Sequence, residues 1–372
     1  MGAEEKRIKI GISCGDLNGI GHEVVIKSCL DPRISELATI VLYSHPLVAA
    51  QHRKALEIKD FSFNPIKDVE EANPKRPNII SAWEEEVTVA IGTPDKELGK
   101  YALASLQKAI GDLKEGKIDA LVTAPIDKNT IQSEEFTFAG HTEYLAQEFE
   151  AEEHSMFMLS EQLNMTFMTG HIPVNEVAKA LTFEGIIKKI RFIDREMARD
   201  LTVDRPKIAV LGLNPHNGDD GVIGKEELEL IAPAIRKAKD DGLLVFGPFA
   251  ADGFFGSGAF KQYDMVLAMY HDQGLIPFKT LNFDRGVNFT SGLSAVRTSP
   301  DHGTAYDIAG KNLADPQSMR DAIYAAIDIF RNRNQYAELT ADVLKSAREN
   351  AGPRQERPAP RPAPTKPKTE ES

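Results

Sequence analysis

The sequence predicts an α/β protein built on a largely parallel sheet and divided into two lobes. Three observations carry this. Strand and helix patterns alternate almost from end to end. A length of 372 residues allows two domains or one large one. The apolar runs in NMTFMTGHIPV, KIAVLGLNPHNGD and MVLAMYHDQG each break into a loop with Gly, Pro or Asn, as buried strands do at a sheet edge.

Taken in order, IKIGIS reads as the first strand and GIGHEVVIKSCL as the first helix. ATIVLYS is a strand and PLVAAQHRKALE a helix. In LGKYALASLQKAIGDLKEG, Leu103, Leu106, Ile110 and Leu113 mark one helical face, and Gly116 reads as the stop. ALVTAP is the next strand. EGIIKKIRFIDREMARDL reads as a helix, KIAVLGL as a strand, KEELELIAPAIRKAKDDG as a helix, then LLVFGPF and MVLAMY as strands. The last long helix is PQSMRDAIYAAIDIFRNR, with Pro316 near its first turn. From Ala351 the chain is rich in Pro and poor in apolar residues, which reads as a disordered tail over 351–372. No solenoid or propeller period is visible.

Composition bounds the function. Apolar residues are 42% of the chain, enough for a sizeable core. No apolar stretch reaches the roughly 18–20 residues needed to span a bilayer, and the start carries no signal-peptide pattern. Two cysteines, Cys14 and Cys29, cannot build a disulfide framework or a thiolate zinc site, so the expectation is reduced thiols in a cytoplasmic protein. A net charge of −12 argues against nucleic acid and anionic membranes as partners. An anionic substrate would need a local cationic pocket.

Four constellations could carry chemistry. His171, His216 and His271 follow the three apolar runs above. Imidazole is the commonest metal ligand and suits proton transfer near neutral pH, so they point to one divalent metal or one polar catalytic cleft. Asp252, in GPFAADGFF, is a candidate oxygen ligand, supporting partner or base. In TFAGHTEYLAQEF, Thr142 can cap a helix, placing His141 and Thr142 near its positive end, where an anion binds well. The stretch from Pro277 to Pro316 brings Lys279, Asn288 and Arg297 together with few opposing charges, as phosphate or carboxylate sites do. Finally, CGDLNGIGHEV spaces its glycines as G-xxx-G-x-G, which is not the dinucleotide fingerprint, and reads as a tight turn into a helix. His22, His45, His52 and His154 lie in helix-like or charged contexts and read as structural.

GDLNGIGHEV, ALVTAPIDK, FAGHTEYL, MTGHIPV, GLNPHNGDDGVIGKEE, AMYHDQGLIPFK, RGVNFTSGL and VRTSPDHGTAYDIAGK together resemble the 4-hydroxythreonine-4-phosphate dehydrogenase family of pyridoxal phosphate synthesis. DHGTAYDIAGKNLADP is also similar to the cofactor loop of isocitrate and isopropylmalate dehydrogenases. The resemblance implies two α/β/α lobes with a cleft between them: residues 1–135 with 298–350 on the cofactor side, and 136–297 on the metal and dimer side. It implies His171, His216 and His271 as ligands of one divalent ion (zinc, magnesium or cobalt). That ion would lie at a homodimer interface, with the residue matching His271 supplied by the partner. It implies His141, Thr142, Lys279, Asn288 and Arg297 as substrate contacts, and His302, Gly303, Thr304, Ala305 and Asp307 as contacts to NAD or NADP.

The implied reaction is oxidation of 4-phosphooxy-L-threonine followed by decarboxylation, with Asp252, Lys279 or a metal-bound water as base. A sister dehydrogenase acting on another phosphorylated hydroxy acid or a cyclic dihydrodiol is the alternative. The chain departs from the family pattern at Asp16-Leu17, where relatives usually carry Glu-Pro. It departs again at Asp127 and in the NGDDGV run after His216, which is more glycine-rich elsewhere.

Overall fold

The computed structural model describes residues 7–138 and 140–341. The tail read over 351–372 lies outside the described residues. Among the described residues, twelve strands form one continuous sheet: β1 (Ile8–Ser13), β2 (Ala38–Ser44), β3 (Asn64–Ile66), β4 (Asn78–Ser81), β5 (Ala120–Thr123), β6 (Ser155–Leu159), β7 (Met165–Thr169), β8 (Ile208–Leu211), β9 (Val245–Phe249), β10 (Met265–Tyr270), β11 (Val287–Ser291) and β12 (Val296–Pro300). The spatial order is β3-β4-β2-β1-β5-β12-β11-β6-β7-β10-β8-β9.

The first six strands in that order pair in parallel, as do the last four. Between them, β11 is antiparallel to β12 and β6, and β6 is antiparallel to β7. The two parallel halves therefore run in opposite directions. Helices cover both faces, which is why β2 is buried at every position and reads as a continuous apolar run.

Among the described residues, eleven α-helices flank the sheet: α1 (Gly21–Cys29), α2 (Pro32–Leu37), α3 (Pro46–Ala55), α4 (Gly99–Lys114), α5 (His141–Glu148), α6 (Val174–Ala180), α7 (Phe183–Leu201), α8 (Ala232–Asp240), α9 (Ala251–Gly256), α10 (His271–Asn282) and α11 (Gln317–Ala341). Local chemistry sets several ends. Asp31 caps α2 by accepting from Arg33 N, and Thr182 caps α7 by accepting from Gly185 N. The predicted face of α4 is buried throughout, and Gly116, at φ 70°, follows its last turn.

One face of the sheet packs against α1, α3, α7, α8 and α11 in a single core. The other face carries two separate cores, one with α4 and α5, the second with α9 and α10. The gap between these two cores opens over the central strands.

Three local expectations change. The predicted single helix over KEELELIAPAIRKAKDDG begins as a π-turn, Glu227–Ile231, before α8. Pro233 has no N–H to give to the preceding turn, so the chain widens there. α5 is capped by Gly140 without a side-chain bond, so Thr142 is a first-turn residue rather than the cap. His271 is the first residue of α10, not a loop residue, because β10 passes directly into that helix.

Candidate active site

A cleft of about 280 Å³ occupies the gap between α5 and α10. It gathers His141, Thr142, His171, Lys279, Asn288, Arg297, His302 and Gly303, eight of the residues singled out from the sequence. The strands position them. Arg297 and Ser299 lie on β12, Asn288 sits opposite Ser299 on β11, and Thr123 ends β5. The α5 first turn supplies His141 and Thr142, and α10 supplies Lys279.

Arg297 is the electrostatic centre of this cleft. It is only 2% exposed. Its guanidinium donates to Thr290 Oγ1 at 3.0 Å and Thr123 Oγ1 at 2.5 Å, and its Nε has no partner. Burial without a paired carboxylate pulls it down to about 9, while the Glu143 charge opposes the fall. His141 is held well below its usual range by burial, with Arg297 and Lys128 adding to the effect, so its imidazole is neutral. Asn288 Oδ1 is buried and unpartnered. A buried cation answered only by hydroxyls, beside Lys279 and Lys128, is suited to meet an anion.

The three histidines share a sheet edge. β7, β10 and β8 are neighbours and parallel, so the chain leaves all three at the same end. The rings of His171 and His271 stand 5.6 Å apart, centre to centre. His171 Nδ1 lies 3.2 Å from Glu143 Oε1, and His271 Nδ1 lies 2.7 Å from Asp272 Oδ1. Each carboxylate can accept a hydrogen bond from Nδ1–H, which leaves Nε2 with its lone pair free, the arrangement that orients imidazoles toward a cation.

These two histidines suit a divalent ion. His216 is exposed on the loop beyond β8 and does not line the cleft. Among the described residues, no group of three or more His, Cys, Asp or Glu side chains is placed to hold a metal ion. Asp252, exposed on α9, is likewise not among the residues lining the cleft.

The loop after β12 forms the other wall. His302 is held below its usual range by burial, and its Nε2 has no partner, an orphan group suited to a polar ligand. Thr304 O accepts from Ile20 N at 2.9 Å, and Tyr306 donates to Asp16 Oδ2 at 2.8 Å. Asp16 also accepts from Asn18 N, Gly19 N and Thr130 Oγ1. This carboxylate therefore knots the turn after β1, the 127–131 loop and the 304–306 loop together. Ala305 has φ 42°, and Asp307 is exposed with its carbonyl accepting from Lys311 Nζ.

The family model for pyridoxal phosphate biosynthetic protein PdxA matches residues 36–326. The chain belongs to this family. It is 49% identical over 333 residues to 4-hydroxythreonine-4-phosphate dehydrogenase of Bacteroides thetaiotaomicron, covering 89% of this chain and 91% of that protein. It is 40% identical over 326 residues to the enzyme of that name from a Sulfurihydrogenibium species, covering 88% and 99%. The crystal structure of 4-hydroxythreonine-4-phosphate dehydrogenase from Klebsiella pneumoniae superposes with a TM-score of 0.74 at 33% identity, covering 89% of this chain and 99% of that one.

Against the PdxA family background, the cleft adds residues that the sequence reading passed over: Thr123, Lys128, Glu143 and Asp301. Each lies inside a segment already quoted for the resemblance. That membership was the available signal, and their side-chain direction was not.

Proposed function

We propose that this chain oxidises 4-phosphooxy-L-threonine with NAD or NADP to 2-amino-3-oxo-4-phosphooxybutanoate, which loses carbon dioxide to give 3-amino-2-oxopropyl phosphate. The observation that carries this is Arg297, buried on the cleft floor with hydroxyl partners only. Arg297, Lys279, Asn288, His141 and Thr142 receive the phosphate. A neutral His141 can donate one hydrogen bond without adding charge. Glu143 keeps His171 oriented at the wall.

When bound, a divalent ion (zinc, magnesium or cobalt) held by His171, His216 and His271 supplies Lewis-acid polarisation of the substrate hydroxyl, and the nicotinamide beside His302, Gly303, Thr304, Ala305 and Asp307 supplies the hydride acceptor. Lys279 is the proton-transfer candidate that lines the cleft. Asp252, the other side-chain candidate for the base, lies outside the cleft lining. A homodimer fits this reading. Val174, Val222, Ile223, Leu228 and Ile276 are exposed apolar side chains near the histidine loops in sequence, and a second copy seated there would cover them and close the cleft. On this reading, residues 1–135 with 298–350 form the cofactor lobe and 136–297 the metal and dimer lobe.

The test is turnover of 4-phosphooxythreonine with NAD, followed by absorbance of the reduced cofactor, with and without chelator. His216→Ala should lose bound metal and turnover while keeping the native circular dichroism. No cofactor reduction by the metal-replete chain would refute the substrate. Full activity after verified metal removal would refute the ligand set.

A further inference from the structure

Asp301 directly follows β12, where the cleft floor turns into the His302 loop. Its backbone N–H is tied to two other parts of the chain, which are also bonded to each other. Asp301 N donates to Gly286 O at 3.2 Å and to Ser318 Oγ at 3.1 Å, and Ser318 Oγ donates to Gly286 O at 2.7 Å. Gly286 has no side chain for a reason: a Cβ there would lie 2.8 Å from the Phe278 ring and 3.1 Å from Asp301 Cβ. The carboxylate is thus seated by the end of β12, the turn before β11 and the first turn of α11.

Lys279 reaches this seat from α10. Its Nζ donates to Asp301 O at 3.1 Å and lies 3.2 Å from Asp301 Oδ1. An ammonium has three N–H donors, so a third is left for a ligand. A carboxylate in an anion cleft lowers affinity unless it acts through a cation. Both carboxylates lining this cleft are engaged, Glu143 with His171 and Asp301 with Lys279, whereas Arg297 has none. A lysine on its flexible four-carbon stem would otherwise spread over many rotamers.

We propose that Asp301 is a positioning residue: it fixes the Lys279 ammonium where the anionic end of the substrate arrives, and ties that anchor to the adjoining His302 loop. This rests on the reading of the cleft as the site for 4-phosphooxythreonine.

The test is a double-mutant cycle on the full chain, with KM and kcat for 4-phosphooxythreonine and thermal unfolding of each variant. Asp301→Ala should raise KM about tenfold, the loss of a charge-assisted hydrogen bond, with kcat falling less. Asp301→Asn, which keeps an acceptor and the shape, should recover most of that loss. In a Lys279→Met background, Asp301→Ala should add little, because the two act as one unit. If Lys279→Met impairs binding but Asp301→Ala leaves KM unchanged or acts additively, the inference is overturned while the substrate reading stands. An unchanged KM in Lys279→Met would overturn both. A lowered melting temperature with an unaltered KM in Asp301→Ala would show a purely structural role and also overturn it.

Discussion

Arg297 shows what a single residue does here. Its charge is buried, its partners are hydroxyls, and its Nε has no partner. Arg297→Met should lower kcat/KM by about 100-fold, the loss of charge-assisted hydrogen bonds to the substrate, mainly through KM. Steady-state kinetics would check this, and wild-type constants would remove Arg297 from the anchor set. Residue types at suggestive positions were readable beforehand: His141, Thr142, Lys279, Asn288 and Arg297 do share one cleft. The bland reading of His22 and His52 also fits. They stack at 4.5 Å in the core and are held below their usual range by burial. Glu143 and Asp301 were not readable, because a carboxylate's role depends on the cation it faces across the fold.

At the scale of elements, the turn carrying His216 is the most strained piece. His216, Asn217, Gly218, Asp219 and Asp220 all have positive φ, a left-handed run that only glycine adopts freely and that Asn and Asp tolerate better than most. The π-turn before α8 holds it. Glu227, 2% exposed, accepts from Leu213 N and Asn214 N, each at 2.7 Å, and from Asn214 Nδ2 at 2.9 Å. Glu227→Ala should therefore destabilise the chain by about 2–4 kcal/mol, since buried donors lose their acceptor. On the proposed ligand set it should also weaken metal binding, because His216 loses its frame. Chemical denaturation and metal titration would check both, and an unaltered metal affinity would show that the turn keeps its shape unaided. Propensity announced α4 and β10 well, since their apolar periods are local. It missed the π-turn and the start of α10, where a proline and a strand-to-helix passage override the pattern.

Across the whole molecule, the two halves are joined twice. The sheet runs through both, and on its far face α7 and α11 are pinned by buried charges. Asp200, fully buried, meets Arg199 at 2.7 Å and Arg333 Nε at 2.7 Å, and Arg333 also donates to Leu293 O at 3.1 Å. Arg333→Met should cost about 2–3 kcal/mol, less than the usual loss for a broken buried pair because Arg199 still faces Asp200. A melting temperature unchanged in calorimetry would show that α11 docks by apolar packing alone. Alternation of strands and helices made the α/β class legible. Strand order was not, because pairing of β12 between β5 and β11 joins segments far apart in the chain.

That insertion bears on how the protein is born. While a ribosome is still making the second half, β5 has no outer neighbour, and its flank waits as an open, sticky margin. Only when β12 and then α11 emerge is the early half sealed. A chain cut short just before Val296 would carry His171, His216 and His271, yet it would present that raw margin to chaperones and to other nascent copies.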